Sequence, residues 1–148
     1  MRLALYTPQI PQNVGACIRL SACFGVPLHV IEPVGFTFDD RAMKRAALDY
    51  GPLGHMTRHA DWDAFQAARA PGRLVLFTTK GANPLNDFAF QPGDTLLMGS
   101  ETAGAPNHVH DAADARVVIP IRPGARSLNL SVSAGIGLFE ALRQTGGL

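Results

Sequence analysis

Only two of the 148 residues are cysteine, Cys17 and Cys23. That scarcity excludes a disulfide-stapled scaffold and fits a reducing compartment. Their spacing on one helix turns them to different faces, so neither a zinc knuckle nor a disulfide joins them. No apolar run is long enough to cross a bilayer. The opening M-R-L-A-L-Y-T-P lacks the long apolar region and cleavage site of a signal peptide. A cytoplasmic protein without membrane contact is expected. Excess charge is also missing. Thirteen Lys and Arg face twelve Asp and Glu, a net charge of +1, far from the strongly basic balance of an obvious nucleic-acid binder. If RNA is the partner, positive charge must be local or concentrated by pairing two subunits. The five histidines, His29, His55, His59, His108 and His110, form no H-E-x-x-H, and no Cys/His cluster has ligand spacing. No metal is expected. A phosphate-binding P-loop and a strand-borne G-x-G-x-x-G are absent too.

What remains is a chain of one-domain size, 1–148, with 47% hydrophobic residues, enough for a real core. Short apolar runs alternate with helical patterns. Arg2–Thr7, Leu28–Ile31, Leu74–Thr79, Thr95–Met98 and Val117–Ile121 read as strands. Val14–Phe24, Asp39–Leu48, Asp61–Ala70 and Ser127–Gln144 read as helices, with stops at Gly25, Pro71-Gly72 and Gly146-Gly147. Around His55 and His59 the pattern leans towards strand. The alternation predicts an α/β fold: a mostly parallel sheet with helices on both faces. Such folds bind ligands at the carboxyl ends of their strands.

Three strand-end loops are rich in Gly, Pro and uncharged polar residues: T-P-Q-I-P-Q-N-V-G-A-C-I-R, M-G-S-E-T-A-G-A-P and I-P-I-R-P-G-A-R-S-L-N-L-S. Together they suggest a composite site. In the first, Asn13 stands near a helix start and Gly15 permits close backbone approach. Arg19 follows on an otherwise apolar helix, where it needs a carboxylate, a phosphate or solvent. It is either a surface arginine or a functional one. In the second, Glu101 is the only acid. It either accepts backbone N–H groups and locks the loop or serves as a general base; the locking role is favoured, because no histidine lies nearby in sequence. In the third, Ser127, Asn129 and Ser131 exceed what one helix cap needs. Arg41, Lys44 and Arg45 share one helix face. They form either a solvated face or, with Phe36, Phe38 and Tyr50, an RNA-contacting rim.

Taken in order, the three loops resemble the three sequence motifs of the SPOUT (trefoil-knot) RNA 2′-O-methyltransferases. The matching residues are I-P-Q-N-V-G-A-C-I-R-L, L-L-M-G-S-E-T-A-G and I-P-I-R-P-G-A-R-S-L-N-L-S-V-S. H-V-I-E-P-V-G-F-T-F-D-D-R-A-M-K-R-A-A-L-D-Y is similar to the TrmL-type subfamily. The resemblance runs from Leu3 to about Gln144. It implies a C-terminal deep trefoil knot, S-adenosyl-L-methionine as methyl donor and an obligate homodimer. It implies a tRNA substrate methylated on the ribose of its wobble nucleotide, C or modified U, in leucine tRNAs. Phe77, Gly99, Ile119 and Ser127, with Leu128 beside them, match the cofactor-binding positions. Arg19 matches the motif arginine at the ribose; Asn13, Glu101 and Asn129 match polar positions around it. The family pattern has Pro where Ser100 stands and a basic residue where Ala103 stands, so Ala103 bears on RNA affinity. Other readings are methylation of another tRNA or rRNA position, a non-catalytic RNA-binding protein of this fold, and a small-molecule α/β enzyme. The last is disfavoured because no His–Cys or carboxylate pair stands at the loops.

Overall fold

Side chains on a strand alternate between the two faces of a sheet, so each strand feeds two cores. In the computed structural model, which describes residues 1–50, 56–80 and 83–148, Leu3 and Leu5 of β1 (Arg2–Tyr6) join the larger apolar cluster and Ala4 the smaller. The same split divides β4 (Leu74–Phe77), with Val75 and Phe77 on one side and Leu74 and Leu76 on the other. It also divides β6 (Thr95–Met98), with Leu96 and Met98 opposite Leu97. Both faces are therefore buried, which is why these strands read as continuous apolar runs.

The remaining strands are β2 (Leu28–Ile31), β3 (Met56–His59), β5 (Asn83–Pro84) and β7 (Ala115–Val118). Among the described residues every strand pairing of the sheet is parallel, in the order β3-β2-β1-β6-β4-β7-β5. Helices α1 (Pro11–Phe24), α2 (Arg41–Ala47) and α5 (Leu130–Thr145) bury Val14, Met43 and Leu138 in the larger cluster. On the opposite face, α3 (Trp62–Ala68) and α4 (Asn107–Ala112) bury Phe65 and Val109 in the smaller. The expected α/β architecture, parallel with helices on both faces, is what forms.

Several element ends shift, each for a local reason. The last helix begins at Leu130 rather than Ser127, because the Asn129 side chain accepts the Ser131 and Val132 N–H groups as N-cap. Asp40 caps α2 and Asp61 caps α3 in the same way, so both helices start after these acids. Gly25 and Gly146 end α1 and α5 in the left-handed conformation, as their positions predict. The seventh strand starts earlier than expected and stops at Val118. Pro120, which lacks an N–H, cannot extend a ladder. β3 forms over the stretch that leaned towards strand. Its His59 ring nitrogen meets that of His29 at 2.9 Å; His55 lies outside the described residues. The edge strand β5 had no readable signal at two residues.

At the amino edge of the sheet, Arg73 grips the buried Asp94 through two hydrogen bonds of 2.9 and 2.7 Å. Asp94 also accepts the Gln91 N–H. The strand starts are thereby fixed, and the opposite, carboxyl ends carry the three motif loops.

Candidate active site

Gly99 directly follows β6, and any Cβ there would crowd the Gly104 backbone, with the nearest atom at 2.7 Å. That leaves glycine alone at this bend. Ser100 and Gly104 then exchange backbone hydrogen bonds of 3.0 and 2.9 Å, and Gly104 adopts a φ of 67°. The tight turn presents Glu101 to the neighbouring loop after β1.

There the carboxylate meets three donors. Gln9 N donates to Oε2 at 2.8 Å; Ile10 N and Asn13 Nδ2 donate to Oε1 at 3.2 and 3.0 Å. Because an ionised carboxylate only accepts, the Asn13 amide nitrogen must face it. The Asn13 oxygen then turns to Asn129, whose Nδ2 donates at 2.9 Å. The Asn129 oxygen in turn caps α5 and accepts the Ser131 hydroxyl at 2.8 Å. One polar relay, Glu101–Asn13–Asn129, thus ties the three loops together, and each member dictates the orientation of the next. Both Glu101 oxygens are thus occupied by N–H groups, the arrangement that a loop-locking carboxylate needs. Asn13 is buried, so losing either partner would strand a polar group.

The loops enclose a cavity of about 580 Å³, within the range of about 300–1,000 Å³ usual for ligand sites. Eight of the nine residues singled out from the sequence line it: Phe77, Gly99, Ile119, Ser127, Leu128, Asn13, Glu101 and Asn129. Phe77 forms an apolar wall. Its ring lies against Gly137, where any Cβ would overlap it, and is stacked on Phe90 at 6.5 Å. Ser127 and Leu128 stand exposed on the rim, since Gly124, with a φ of 89°, and the Asn129 cap hold this stretch out of the helix.

Arg19 is the exception. It projects from α1 into solvent outside the cavity, with its guanidinium carbon 6.0 Å from the centre of the Tyr50 ring. Sequence reasoning also missed lining residues: Thr78, Thr79 and Lys80 after β4, His110 on α4, and Arg126. The strand read as Leu74–Thr79 ends at Phe77, which places residues 78–80 in the strand-end loop. Buried Cys17 has its thiol pushed up to about 12, chiefly by burial and secondarily by Glu101, so it stays protonated and is no nucleophile. Among the described residues no cluster of three or more His, Cys, Asp or Glu could hold a metal ion, and no helix is long and apolar enough to cross a membrane.

The sequence profile of the SpoU rRNA methylase family matches residues 1–139. A tRNA (cytidine(34)-2′-O)-methyltransferase of Beijerinckia indica is 53% identical over 99% of this chain and 92% of its own length. The enzyme of that name from Escherichia coli K12 is 44% identical, over 99% and 94%. A solved structure described as giving insight into 2-OH methylation of C/U34 on tRNA superposes with a TM-score of 0.93. It is 40% identical, and the match covers 99% of this chain and 97% of the other. The SpoU methyltransferase AviRb of Streptomyces viridochromogenes, in complex with AdoMet, has a TM-score of 0.82 at 28% identity, over 97% of this chain and 60% of its own.

Proposed function

The chain belongs to the SpoU methylase family, and from that premise we propose that it methylates the ribose 2′-hydroxyl of the nucleotide at tRNA position 34. The substrate is C or modified U in leucine tRNAs, and S-adenosylmethionine is the donor. The observation that carries this reading is the cavity at the strand ends, walled by all three motif loops and locked by the Glu101–Asn13–Asn129 relay.

The cavity suits the cofactor. Phe77 and Ile119 offer apolar walls to an adenine, and Gly99 lets the backbone approach closely. Ser127 and Leu128 complete the binding set at the rim. When bound, S-adenosylmethionine supplies a methyl group on a cationic sulfur. Transfer would form the O–CH3 bond as the CH3–S bond breaks, leaving a neutral thioether and releasing the hydroxyl proton to solvent, so the chain's main task is to align donor and acceptor. Arg19, a guanidinium with five N–H donors, serves as a grip, holding a phosphate or a developing alkoxide by charge-assisted hydrogen bonds. Asn13, Glu101 and Asn129 set the loops around that chemistry. Arg41, Lys44 and Arg45, all exposed on α2, supply a basic rim for RNA, with Phe36 and Phe38 beside it.

We also infer a homodimer. Val132, Ile136 and Phe139 recur along one face of α5 and are 48%, 39% and 50% exposed. Leu128 and Ile10 add further exposed apolar surface. A contiguous apolar stripe of this kind calls for a partner, and a second copy pairs like with like while doubling the basic rim. A C-terminal deep trefoil knot is part of the same reading. The return of the chain from β7 through α5 onto β6 and α1 agrees with it. The cytoplasm, where tRNA is matured, is the expected location.

Mapping 2′-O-methyl groups on tRNA with and without the protein tests this reading; unchanged ribose at position 34 discards it. Calorimetry with S-adenosylmethionine separates a methyltransferase from a bare RNA binder.

A further inference from the structure

Three guanidinium groups lie over aromatic rings, Arg58 over Phe38, Arg73 over Phe88 and Arg19 over Tyr50, and among the described residues Arg19 alone of these has no carboxylate partner. Arg58, Arg73 and Arg143 are each paired with a carboxylate, Glu32, Asp94 and Glu140. Among the described residues Arg19 makes no ion pair, and its guanidinium instead lies near the Tyr50 ring, 6.0 Å from the centroid. The distinction matters chemically. A carboxylate neutralises a guanidinium and occupies its N–H donors. An aromatic face attracts the cation while leaving all five donors free.

The turn that carries the ring is fixed. Residues Leu48–Tyr50 form a short 3-10 turn continuous with α2 and packed against α1. Leu48 takes a φ of 52°, a strained value for leucine, where α2 ends and the 3-10 turn begins. The α1–α2 spacing is set at Gly15, where any Cβ would overlap the Met43 carbonyl oxygen and lie 2.8 Å from the Ala46 Cβ. Guanidinium and ring therefore project from two elements locked at close approach. Tyr50 is nonetheless 47% exposed, so apolar burial does not account for its position.

We propose that Tyr50 is a positioning residue for Arg19, its ring aiming the guanidinium at the ribose and phosphate of the target nucleotide without consuming a donor. This rests on the reading of Arg19 as the group at the ribose. Single-turnover methylation, with enzyme in excess, tests it. Tyr50→Ala lowers the rate two- to fivefold, the equivalent of about 0.5–1 kcal/mol for an exposed cation–π contact. Tyr50→Phe, which keeps the ring, recovers most of that loss, and affinity for S-adenosylmethionine does not move. In an Arg19→Ala background, Tyr50→Ala costs nothing further. A full second loss in that background, or a Tyr50→Phe variant as slow as Tyr50→Ala, overturns the proposal. The Arg19 Nε–H resonance gives a readout independent of activity. It shifts in Tyr50→Ala as the ring current disappears, and an unmoved signal also overturns the proposal. If the wild-type protein leaves position 34 unmethylated, the proposed function fails, while the resonance still decides the Tyr50–Arg19 contact.

Discussion

Asn13 and Asn129 lie 116 positions apart, yet the Asn129 amide nitrogen donates to the Asn13 amide oxygen at 2.9 Å. Each amide is engaged through both its nitrogen and its oxygen: Asn13 to Glu101 on its other side, Asn129 to the start of α5. The first and third motifs are thereby one mechanical unit, with Glu101 of the second as its anchor.

Asn13→Ala tests that unit. It removes two hydrogen bonds and leaves the Asn129 nitrogen and a carboxylate oxygen short of partners, a loss of about 1–3 kcal/mol. For a chain of this size that lowers Tm by roughly 2–4 °C per kcal/mol. Calorimetric melting should show the drop, and S-adenosylmethionine affinity should fall with it because two cavity walls loosen together. A variant with unchanged affinity would remove the relay from the site.

Glu101→Gln keeps the size and changes the chemistry. Glutamine offers one acceptor oxygen where Gln9 N, Ile10 N and Asn13 Nδ2 all donate. At least one N–H is then left facing another donor. The expected outcome is a loss of about 1–3 kcal/mol in stability, with methyl transfer reduced at every pH. If the general-base reading held instead, the rate would show a carboxylate titration that Glu101→Gln abolishes, with stability intact.

Much of the architecture around this site was legible in the sequence. The apolar runs gave the strands, because both faces of the sheet are buried and period-2 alternation is hidden. Gly25 and Gly146 marked helix ends through their left-handed backbone. The relay was not legible. A hydrogen bond between residues 13 and 129 depends on the order in which the strands are laid side by side, which local pattern does not encode. The place of Arg19 outside its own cavity was hidden for the same reason. Asn129 drew attention as a surplus polar residue, whereas its cap role emerged only with the true start of α5.

Gly137→Ala probes the cofactor cavity from behind. A methyl group there would strike the Phe77 ring, which also stacks with Phe90 at 6.5 Å. The ring is driven into the cavity, so affinity for S-adenosylmethionine should fall by about tenfold, roughly 1.4 kcal/mol. Overpacking of this kind costs about 1–3 kcal/mol in stability as well. Isothermal calorimetry decides; unaltered affinity would take Phe77 out of the adenine wall.

Acid should weaken the fold through His29 and His59. Burial lowers the pKa of both, and His29 is lowered further by His59 and Arg2. In the unfolded chain each titrates near its ordinary value of about 6.5. Below that pH the unfolded chain binds protons that the folded one refuses, so stability is full above about 6.5 and declines as pH falls towards the lowered folded values. Each site contributes a slope of at most about 1.4 kcal/mol per pH unit. Denaturant titrations between pH 7 and 5 should show the decline. In His29→Gln the slope should flatten, and an equal slope would place the acid sensitivity elsewhere.

Arg19→Ala separates binding from chemistry. The side chain stands outside the cavity, whereas Phe77, Gly99, Ile119, Ser127 and Leu128 all line it. Truncating an exposed arginine with no carboxylate partner among the described residues should leave both the fold and cofactor affinity in place. Methyl transfer should nevertheless collapse by about 10²–10³-fold, the scale on which one transition-state donor matters. A guanidinium does not give up its proton at neutral pH, so the loss should not depend on pH between 6 and 9 relative to wild type. Calorimetry with S-adenosylmethionine and a tritium-transfer assay on tRNA check the two halves separately. Full activity in the variant would end the role assigned to Arg19. Loss of cofactor binding alone would move that role from the ribose to the donor.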